Sequence, residues 1–189
     1  LLLGGNAAGD LKLKPMLVYR SQNPRALKRV SRRDPPVLWR SNPKAWVTRV
    51  LGDWFTNFFC PSVEEYCLGK GLEFKALLLL DNASGHPTGL SQLNENVKVI
   101  FLPANTTSLI QPMDQGVIAT FKAYYLRKTM AQAIEETSEK GISSETFWKD
   151  YNILRVVENI GAAWAEVSAH NMRAVWKHIL PHCAIQDTD

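Results

Sequence analysis

The chain is poor in cysteine and has no long apolar run. Its 189 residues include three cysteines, Cys60, Cys67 and Cys183, whose spacing matches no metal-ligand pattern. Cys60 and Cys67 lie in an apolar helical stretch, which predicts buried thiols in a reducing compartment. No apolar run approaches the roughly 20 residues that a transmembrane helix needs, so no membrane partner is expected.

Several enzyme motifs are also missing. The sequence has no glycine-rich phosphate loop, so nothing in it predicts a small-molecule cofactor. Ser84 precedes Gly-His-Pro and does not stand in a G-x-S-x-G turn, which excludes a serine hydrolase of that type. The chain begins without methionine inside an apolar run, and this predicts a fragment whose first strand is cut partway.

Charge is distributed unevenly along the chain. The formal net charge is +4, and positions 11–50 hold eleven lysines and arginines but only one acid, Asp34. This asymmetry fits a surface that binds a polyanion, and it fits a solvated basic loop equally well. Both interpretations stay open on charge alone.

Hydrophobic periodicity predicts a mixed α/β domain with a helical C-terminal part. Residues 1–3 and 15–19 are predicted to form an antiparallel hairpin. The polar residues 21–42 are predicted to lie outside the core. A helix is expected after Asn42 and Pro43, ending at Pro61. Residues 75–80 and 97–102 read as strands, the first buried on both faces, and helices follow from Asp114 to about residue 136 and again from Ser144.

Two aspartates stand where such a fold places catalytic groups. Asp81 directly follows the apolar strand, and Asp114 lies at or near the start of a helix. Because carboxyl ends of neighbouring strands meet at one sheet edge, the two carboxylates are expected to converge there. Oxygen ligands suit hard cations, so the pair predicts a site for Mg²⁺ or Mn²⁺. Each aspartate alone could instead cap a helix.

Three stretches carry the residues of a known family. They are NAAGD at 6–10, LLLDNASGHP at 78–87 and LPANTTSLIQPMDQG at 102–116. They resemble the DDE superfamily endonucleases (DDE-1 domain) of the pogo/Tigger type, which derive from transposable elements and have jerky proteins and centromere protein B as relatives. The resemblance covers essentially the whole chain.

The resemblance implies a ribonuclease H-like mixed sheet with flanking helices, in which three carboxylates hold two divalent metals that cut and rejoin DNA. Asp81 matches the second catalytic acid and Asp114 the third. The first acid belongs to a strand before Leu1, so residues 1–137 are expected to form a partial, N-terminally truncated catalytic core. The helix-turn-helix region is expected to be missing too. Residues 143–181 are expected to form a helical extension packed on this core.

Other residues receive supporting roles. Asn82 and His86 would orient the carboxylates or touch phosphate, although His86 also fits a plain turn. Five basic residues are candidates for salt-sensitive, sequence-indifferent phosphate contact: Arg25, Lys28, Arg29, Arg32 and Arg33. Asp10 is a poor replacement for the first acid, because it is expected to pair with Lys12 or with solvent.

The favoured function is therefore a nuclear DNA-binding DDE-1 domain derived from a Tigger transposase and catalytically inactive as it stands. An alternative is an active metal-dependent endonuclease or strand transferase, if a longer chain supplies the first acid. A second alternative is a metal-dependent phosphohydrolase. A missing first strand would leave an unpaired sheet edge, which predicts poor solubility.

Overall fold

The computed structural model of the chain describes residues 1–28, 35–43, 50–81, 89–103 and 106–176. These residues form four short strands and seven α-helices, joined by a few 3₁₀ and π-helical turns. The predicted mixed α/β class is therefore confirmed. In this described part of the chain, no helix is both long enough and apolar enough to cross a bilayer.

The N-terminal part builds a small parallel sheet. Strands β1 (Met16–Tyr19) and β2 (Leu38–Ser41) pair in parallel, from Met16↔Leu38 to Tyr19↔Ser41. Two antiparallel bridges join residues 2 and 5 to residues 16 and 12, which confirms the hairpin as isolated bridges without a continuous ladder. The prediction that residues 21–42 stay outside the core was wrong, because β2 lies among them and Val37 is fully buried.

A long helical segment follows, and it does not stop at the expected proline. It consists of α1 (Leu51–Trp54), a π-helical turn (Phe55–Phe59) and α2 (Cys60–Lys70). Pro61 lacks an N–H group and lies in the first turn of α2, where the wider π turn before it accommodates the ring. The predicted helix start after Pro43 falls on residues 44–49, outside the described residues.

The second pair of strands carries the first predicted acid. Strands β3 (Ala76–Leu80) and β4 (Val97–Phe101) run parallel, in register from Ala76↔Val97 to Leu80↔Phe101. The prediction that residues 75–80 are buried on both faces was wrong, since Leu77 is 58% exposed. Side chains of a strand alternate between faces, and Leu77 lies on the uncovered one. A 3₁₀ turn (Leu90–Gln92) lies between the strands.

The C-terminal half is helical. It contains α3 (Thr107–Ile110), a π-helical turn (Met113–Val117), α4 (Ile118–Ser138), α5 (Ser144–Asp150), α6 (Ile153–Glu166) and α7 (Ala169–Trp176). The predicted helix from Asp114 to about residue 136 is confirmed. The cap of α5 is Ser143, one residue before the predicted one, and its hydroxyl accepts from the Thr146 N–H at 3.2 Å.

Among the described residues, two buried apolar clusters hold the elements together. The first joins β1, β3 and β4 to the helical segment of α1 and α2, with Phe55 and Leu51 fully buried at its centre. The second joins α4, α6 and α7 and also includes Val37. Val37 precedes β2 and therefore links the N-terminal sheet to the C-terminal helices. The division of the chain at residues 137–143 stays a prediction.

A buried polar network lies between α4, α5 and α6. Asn159 is 3% exposed and donates to the Thr129 hydroxyl at 3.2 Å and to Gln132 Oε1 at 3.0 Å. Gln132 Nε2 donates back to Asn159 Oδ1 at 3.1 Å. The hydroxyl of Tyr151 lies 3.0 Å from Asn159 Nδ2 and 3.1 Å from the hydroxyl of Tyr125. Burial raises the pKa of Tyr125, so the network contains a neutral phenol.

Lys12 fastens the N-terminal hairpin to the end of α6. Its ammonium group donates to the carbonyl oxygens of Trp164 at 2.8 Å, Ala165 at 3.1 Å and Val167 at 2.5 Å. It also lies 5.5 Å from the centre of the Trp164 ring, whose Nε1 donates to the Leu13 carbonyl at 2.8 Å. The carbonyl groups that end a helix lack partners within the helix, so this lysine satisfies them.

The two described cysteines are free and buried, as predicted. Burial raises the pKa of the Cys60 thiol. A thiol that is buried and kept protonated is a weak nucleophile, which favours a packing role for Cys60. Cys183 lies outside the described residues.

Candidate functional site

Asp81 stands at the carboxyl end of β3. Leu80, which precedes it, is buried, and its carbonyl oxygen accepts the Leu102 N–H at 2.8 Å. Since β3 and β4 are parallel, Asp81 and the residues that follow β4 leave the sheet at the same edge. The strand therefore holds the backbone of Asp81 in a defined position, and its side chain is half-buried.

Asp114 lies in the π-helical turn that leads into α4. Its N–H donates to the Gln111 carbonyl at 3.1 Å, and its side chain is exposed. Gly116 departs from helical dihedral angles, with φ 173° and ψ −29°, so the chain bends between Asp114 and the regular part of α4. This bend sets the direction of the Asp114 turn relative to α4.

The charge of Asp81 acts on the carboxyl group of Asp114. The pKa of Asp114 is raised, first by partial desolvation and then by the negative charge of Asp81, while the charge of Lys122 opposes the shift. A charge can act in this way only over a short distance. Thirty-two residues lie between Asp81 and Asp114 in the sequence, and the fold brings them into one electrostatic environment.

The described residues do not contain a complete metal centre. Across residues 1–28, 35–43, 50–81, 89–103 and 106–176, no three or more His, Cys, Asp or Glu side chains are grouped to hold a metal ion. The oxygen donors of Asp81 and Asp114 fit a hard cation in type, but they are only two. The predicted binding of Mg²⁺ or Mn²⁺ stays a prediction.

Several predicted site residues lie where the structure gives no description. Asn82 and His86, predicted to support the carboxylates, fall outside the described residues, and so do Arg29, Arg32 and Arg33. The other two basic candidates are described. Arg25 begins a 3₁₀ turn (Arg25–Leu27) that Lys28 follows, and both side chains are exposed.

Asp10 was predicted to pair with Lys12 or with solvent, and this prediction was wrong, because Asp10 pairs with Lys70. Asp10 forms an ion pair with Lys70 at 2.8 Å and accepts hydrogen bonds from Asn6 Nδ2 and the Tyr66 hydroxyl, both at 2.8 Å. The hydrogen bond from Lys70 is the largest cause that holds the pKa of Asp10 far below its usual range. Lys12 was expected here, but its ammonium group binds the end of α6. Asp10 therefore fastens the first turn to α2.

The packing of α7 against the turn that contains Asp114 was not predicted from the sequence. Gly116 lies against this helix so closely that an added Cβ would come within 3.2 Å of Val175 Cγ1. A groove of about 260 Å³ runs beside this contact, lined by Gln115, Gly116 and Thr120 on one side and Asn171, Ala174 and Val175 on the other. The signal available in the sequence was the apolar stripe that contains Met172 and Val175, and both residues are buried in the structure.

Comparison with known proteins finds one family model that matches nearly the whole chain. The model is described as DDE superfamily endonuclease and covers residues 1–176. The chain is similar to the human Jerky protein homolog, with 32% identity over 190 residues, which cover 99% of this chain and 32% of that protein. No solved structure matches.

Two further relatives show the same partial coverage. Human Tigger transposable element-derived protein 7 is 32% identical over 191 residues, 94% of this chain and 35% of that protein. ARS-binding protein 1 of Schizosaccharomyces pombe is 31% identical over 168 residues, 84% of this chain and 30% of that protein. The chain thus spans about a third of the length of the curated relatives it matches.

Proposed function

Since the chain belongs to the DDE superfamily endonuclease family, we propose that it is a DNA-binding domain derived from a Tigger-type transposase. An endonuclease acts within a nucleic-acid chain, and transposable elements are DNA, so DNA is the partner we assign. The domain would work in the nucleus. It would keep the family's carboxylate edge without completing its cutting centre, on a ribonuclease H-like core.

The observation that carries the proposal is the match of residues 1–176 to the DDE superfamily endonuclease model. The charge of Asp81, which contributes to the raised pKa of Asp114, is consistent with it. Carboxyl groups held near each other repel, and a divalent cation relieves that repulsion. Asp81 and Asp114 are therefore the residues that would hold Mg²⁺ or Mn²⁺. When bound in pairs, such ions activate a nucleophilic hydroxyl and stabilise the leaving oxygen of a phosphodiester.

The proposed lack of turnover is argued from the number of ligands. A two-metal centre needs carboxylates that bridge and flank both ions, and the described residues hold no group of three or more His, Cys, Asp or Glu side chains. Asp10 does not complete the set, because Lys70, Tyr66 and Asn6 already occupy its carboxylate. The chain alone would bind DNA and leave it uncut.

DNA binding is assigned to the basic segment. Arg25 and Lys28 are exposed, and the segment from 11 to 50 carries ten more positive than negative side chains. Such an excess binds phosphate through release of counterions, with little preference for base sequence.

Salt dependence tests this binding. If the five candidate cations contact phosphate, affinity for a random 20–30 bp duplex should fall by about several hundred-fold as salt rises from about 50 to 200 mM. The paired substitutions Arg25→Ala and Lys28→Ala should make the slope of log K against log salt shallower by about 2. Fluorescence anisotropy of a labelled duplex measures both.

The matched control removes two exposed cations elsewhere. Lys140→Ala with Lys149→Ala takes the same charge from residues that pair with Glu136 and Glu145, and it should leave the slope unchanged. An equal loss of slope in both double variants would show that net charge, and no particular segment, causes the binding. Failure to bind any duplex at low salt would reject the DNA-binding role.

A plasmid-nicking assay tests the lack of turnover. Supercoiled DNA incubated with the chain and Mg²⁺ or Mn²⁺ is expected to stay intact, because the carboxylate set is incomplete. Nicking that disappears in Asp81→Asn and in Asp114→Asn, and persists in the exposed α5 variant Asp150→Asn, would instead establish an active endonuclease. Hydrolysis of nucleotides without any effect on DNA would favour a phosphohydrolase.

A further inference from the structure

Two glycines near the start of the chain lie directly against helix α7. A Cβ added at Gly9 would come within 2.5 Å of the carbonyl oxygen of Ala169, the first residue of α7. A Cβ added at Gly5 would overlap Cε of Met172, which is fully buried in the middle of the same helix. The first turn (residues 6–10) and α7 are therefore packed so closely that no side chain fits between Gly9 and the helix backbone.

The opposite end of α7 contacts the turn that contains Asp114. Val175 is 8% exposed, and its Cγ1 would lie 3.2 Å from a Cβ added at Gly116. Val117, the next residue, is fully buried in the same apolar cluster as Met172 and Val175. Helix α7 has eight residues and so spans about 12 Å. It lies between the two turns, with the first turn at its start and the Asp114 turn near its end.

The Asp114 turn has little local support of its own. It is a π-helical turn without a side-chain cap, and Gly116 within it departs from helical dihedral angles. Single π-helical turns of this kind are rare and occur frequently at functional sites. Because the regular helical hydrogen-bond pattern is interrupted here, tertiary packing is needed to hold the turn in place. Helix α7 provides such packing through Val175.

The first turn is anchored on its other side to α2. The Asp10 carboxylate accepts hydrogen bonds from Asn6 and Tyr66 and pairs with Lys70. Tyr66 and Lys70 belong to α2, which shares the first apolar cluster with β3 and β4. Strand β3 leads directly into Asp81. A continuous series of contacts thus runs from the strands through α2, the first turn and α7 to the Asp114 turn.

We propose that Gly5 and Gly9 are positioning residues for Asp114. They let α7 lie directly on the first turn, and α7 in turn holds the Asp114 turn in place relative to Asp81. This inference rests on the proposed function, because it assumes that Asp114 binds a metal ion. In this arrangement Asp10 anchors the series of contacts to α2 and is not a third metal ligand.

The substitution Gly9→Ala tests the proposal, with Gly141→Ala as its matched control. Both glycines have a positive φ, +77° and +66°, so alanine causes similar backbone strain at the two positions. Only the alanine at position 9 would also collide with α7, since a Cβ added at Gly141 meets no atom within 4 Å. A difference between the two variants therefore reports the contact between the first turn and α7.

Mn²⁺ affinity is the first measurement, made by water-proton relaxation on the 189-residue chain. Gly9→Ala should weaken the affinity at least about tenfold, because residues that orient a metal ligand typically contribute that much. Gly141→Ala should leave the affinity within about twofold of the parent, since it displaces no ligand. Asp114→Asn should abolish the same binding, which identifies the site that is measured.

Amide hydrogen exchange is the second measurement and needs no metal. Gly9→Ala should speed exchange at residues 113–117 and in α7 at least about tenfold relative to Gly141→Ala, and leave β3 and β4 unchanged. If Gly9→Ala does not fold, exchange in the parent at rising urea concentration replaces it. Residues 113–117 should then lose protection together with α7, because their packing depends on that helix.

Three results would overturn the proposal. The first is that the two alanine variants show equal Mn²⁺ affinity and equal exchange. The second is faster exchange in Gly9→Ala without a change in affinity, which would make the contact purely structural. The third is protection of residues 113–117 that persists after α7 has opened. Mn²⁺ binding that is absent from the parent, or unaffected by Asp114→Asn, would instead contradict the metal site of the proposed function, and exchange alone would then decide whether α7 holds the turn.

Discussion

Replacing Asn159 with leucine is expected to lower the free energy of unfolding by about 2–3 kcal/mol. Leucine has the branching of asparagine at Cγ but is larger, so the substitution removes polar atoms, opens no cavity and adds some overpacking. Thr129 and Gln132 would then lose hydrogen bonds inside the interface between α4 and α6. A buried polar group that loses its partner costs more than the hydrogen bond contributed, because water cannot reach it.

Urea denaturation followed by circular dichroism measures this loss. The control Asn57→Leu removes an exposed amide that donates to Asp53 at 2.7 Å, and it should change stability by no more than about 0.5 kcal/mol. A double-mutant cycle with Gln132→Leu should show a coupling of about 1 kcal/mol or more, since the two amides bond each other twice. An Asn159→Leu protein as stable as the parent would mean that the network contributes specificity of packing and no net stability.

Replacing Lys12 with methionine is expected to cost about 2 kcal/mol. Methionine keeps most of the aliphatic stem but removes the ammonium group, whose three donors match three carbonyl oxygens at the end of α6. These oxygens carry the negative end of the helix dipole, so the interaction is charge-assisted. Burial lowers the pKa of Lys12, which shows that desolvation already offsets part of the gain.

Thermal and urea unfolding of Lys12→Met measure the effect. Lys98→Met on β4 is the control, because this exposed lysine should contribute less than about 0.5 kcal/mol. Lys12→Arg should recover only part of the stability, since a planar guanidinium cannot direct donors to three clustered carbonyl groups as an ammonium does. Equal stability of the arginine variant and the parent would show that charge alone, without that geometry, is sufficient.

Both contacts bear on the candidate site. Asp114 lies in the turn before α4, and Asn159 fixes α4 against α6. Lys12 then ties α6 to the hairpin that leads into β1. The position of Asp114 relative to the strands therefore depends on polar contacts that are far from it in sequence.

Elements that depend on local pattern were predicted well. The apolar run before Asp81 is β3, the run at 97–101 is β4, and the periodic stretch after Asp114 is α4. Each is specified by the spacing of its own apolar residues, which a reader of the sequence can see directly. The family resemblance was also carried by contiguous motifs, and the family match over residues 1–176 confirms it.

Elements that depend on distant partners were missed. Strand β2 was predicted to be part of a polar segment outside the core, because its hydrogen-bonding partner β1 cannot be identified from local sequence. Pro61 was predicted to end a helix, whereas a π-helical turn precedes it and the helical segment continues. Asp10 could pair with several cations by sequence, and only the packing of α2 beside the first turn selects Lys70. Pairing partners of this kind are chosen by the tertiary fold, since no local rule ranks residues that are far apart.

The amino-acid sequence of this chain was enough to predict its family and its α/β class and to single out two candidate acidic residues, because apolar periodicity and short contiguous motifs carry all three. The tertiary structure alone decided that the charge of Asp81 reaches Asp114, that Lys12 closes α6, and that one face of α4 stays uncovered. The physical reason is that charge interaction, helix capping and burial depend on distances through space, and those distances exist only once the chain has folded.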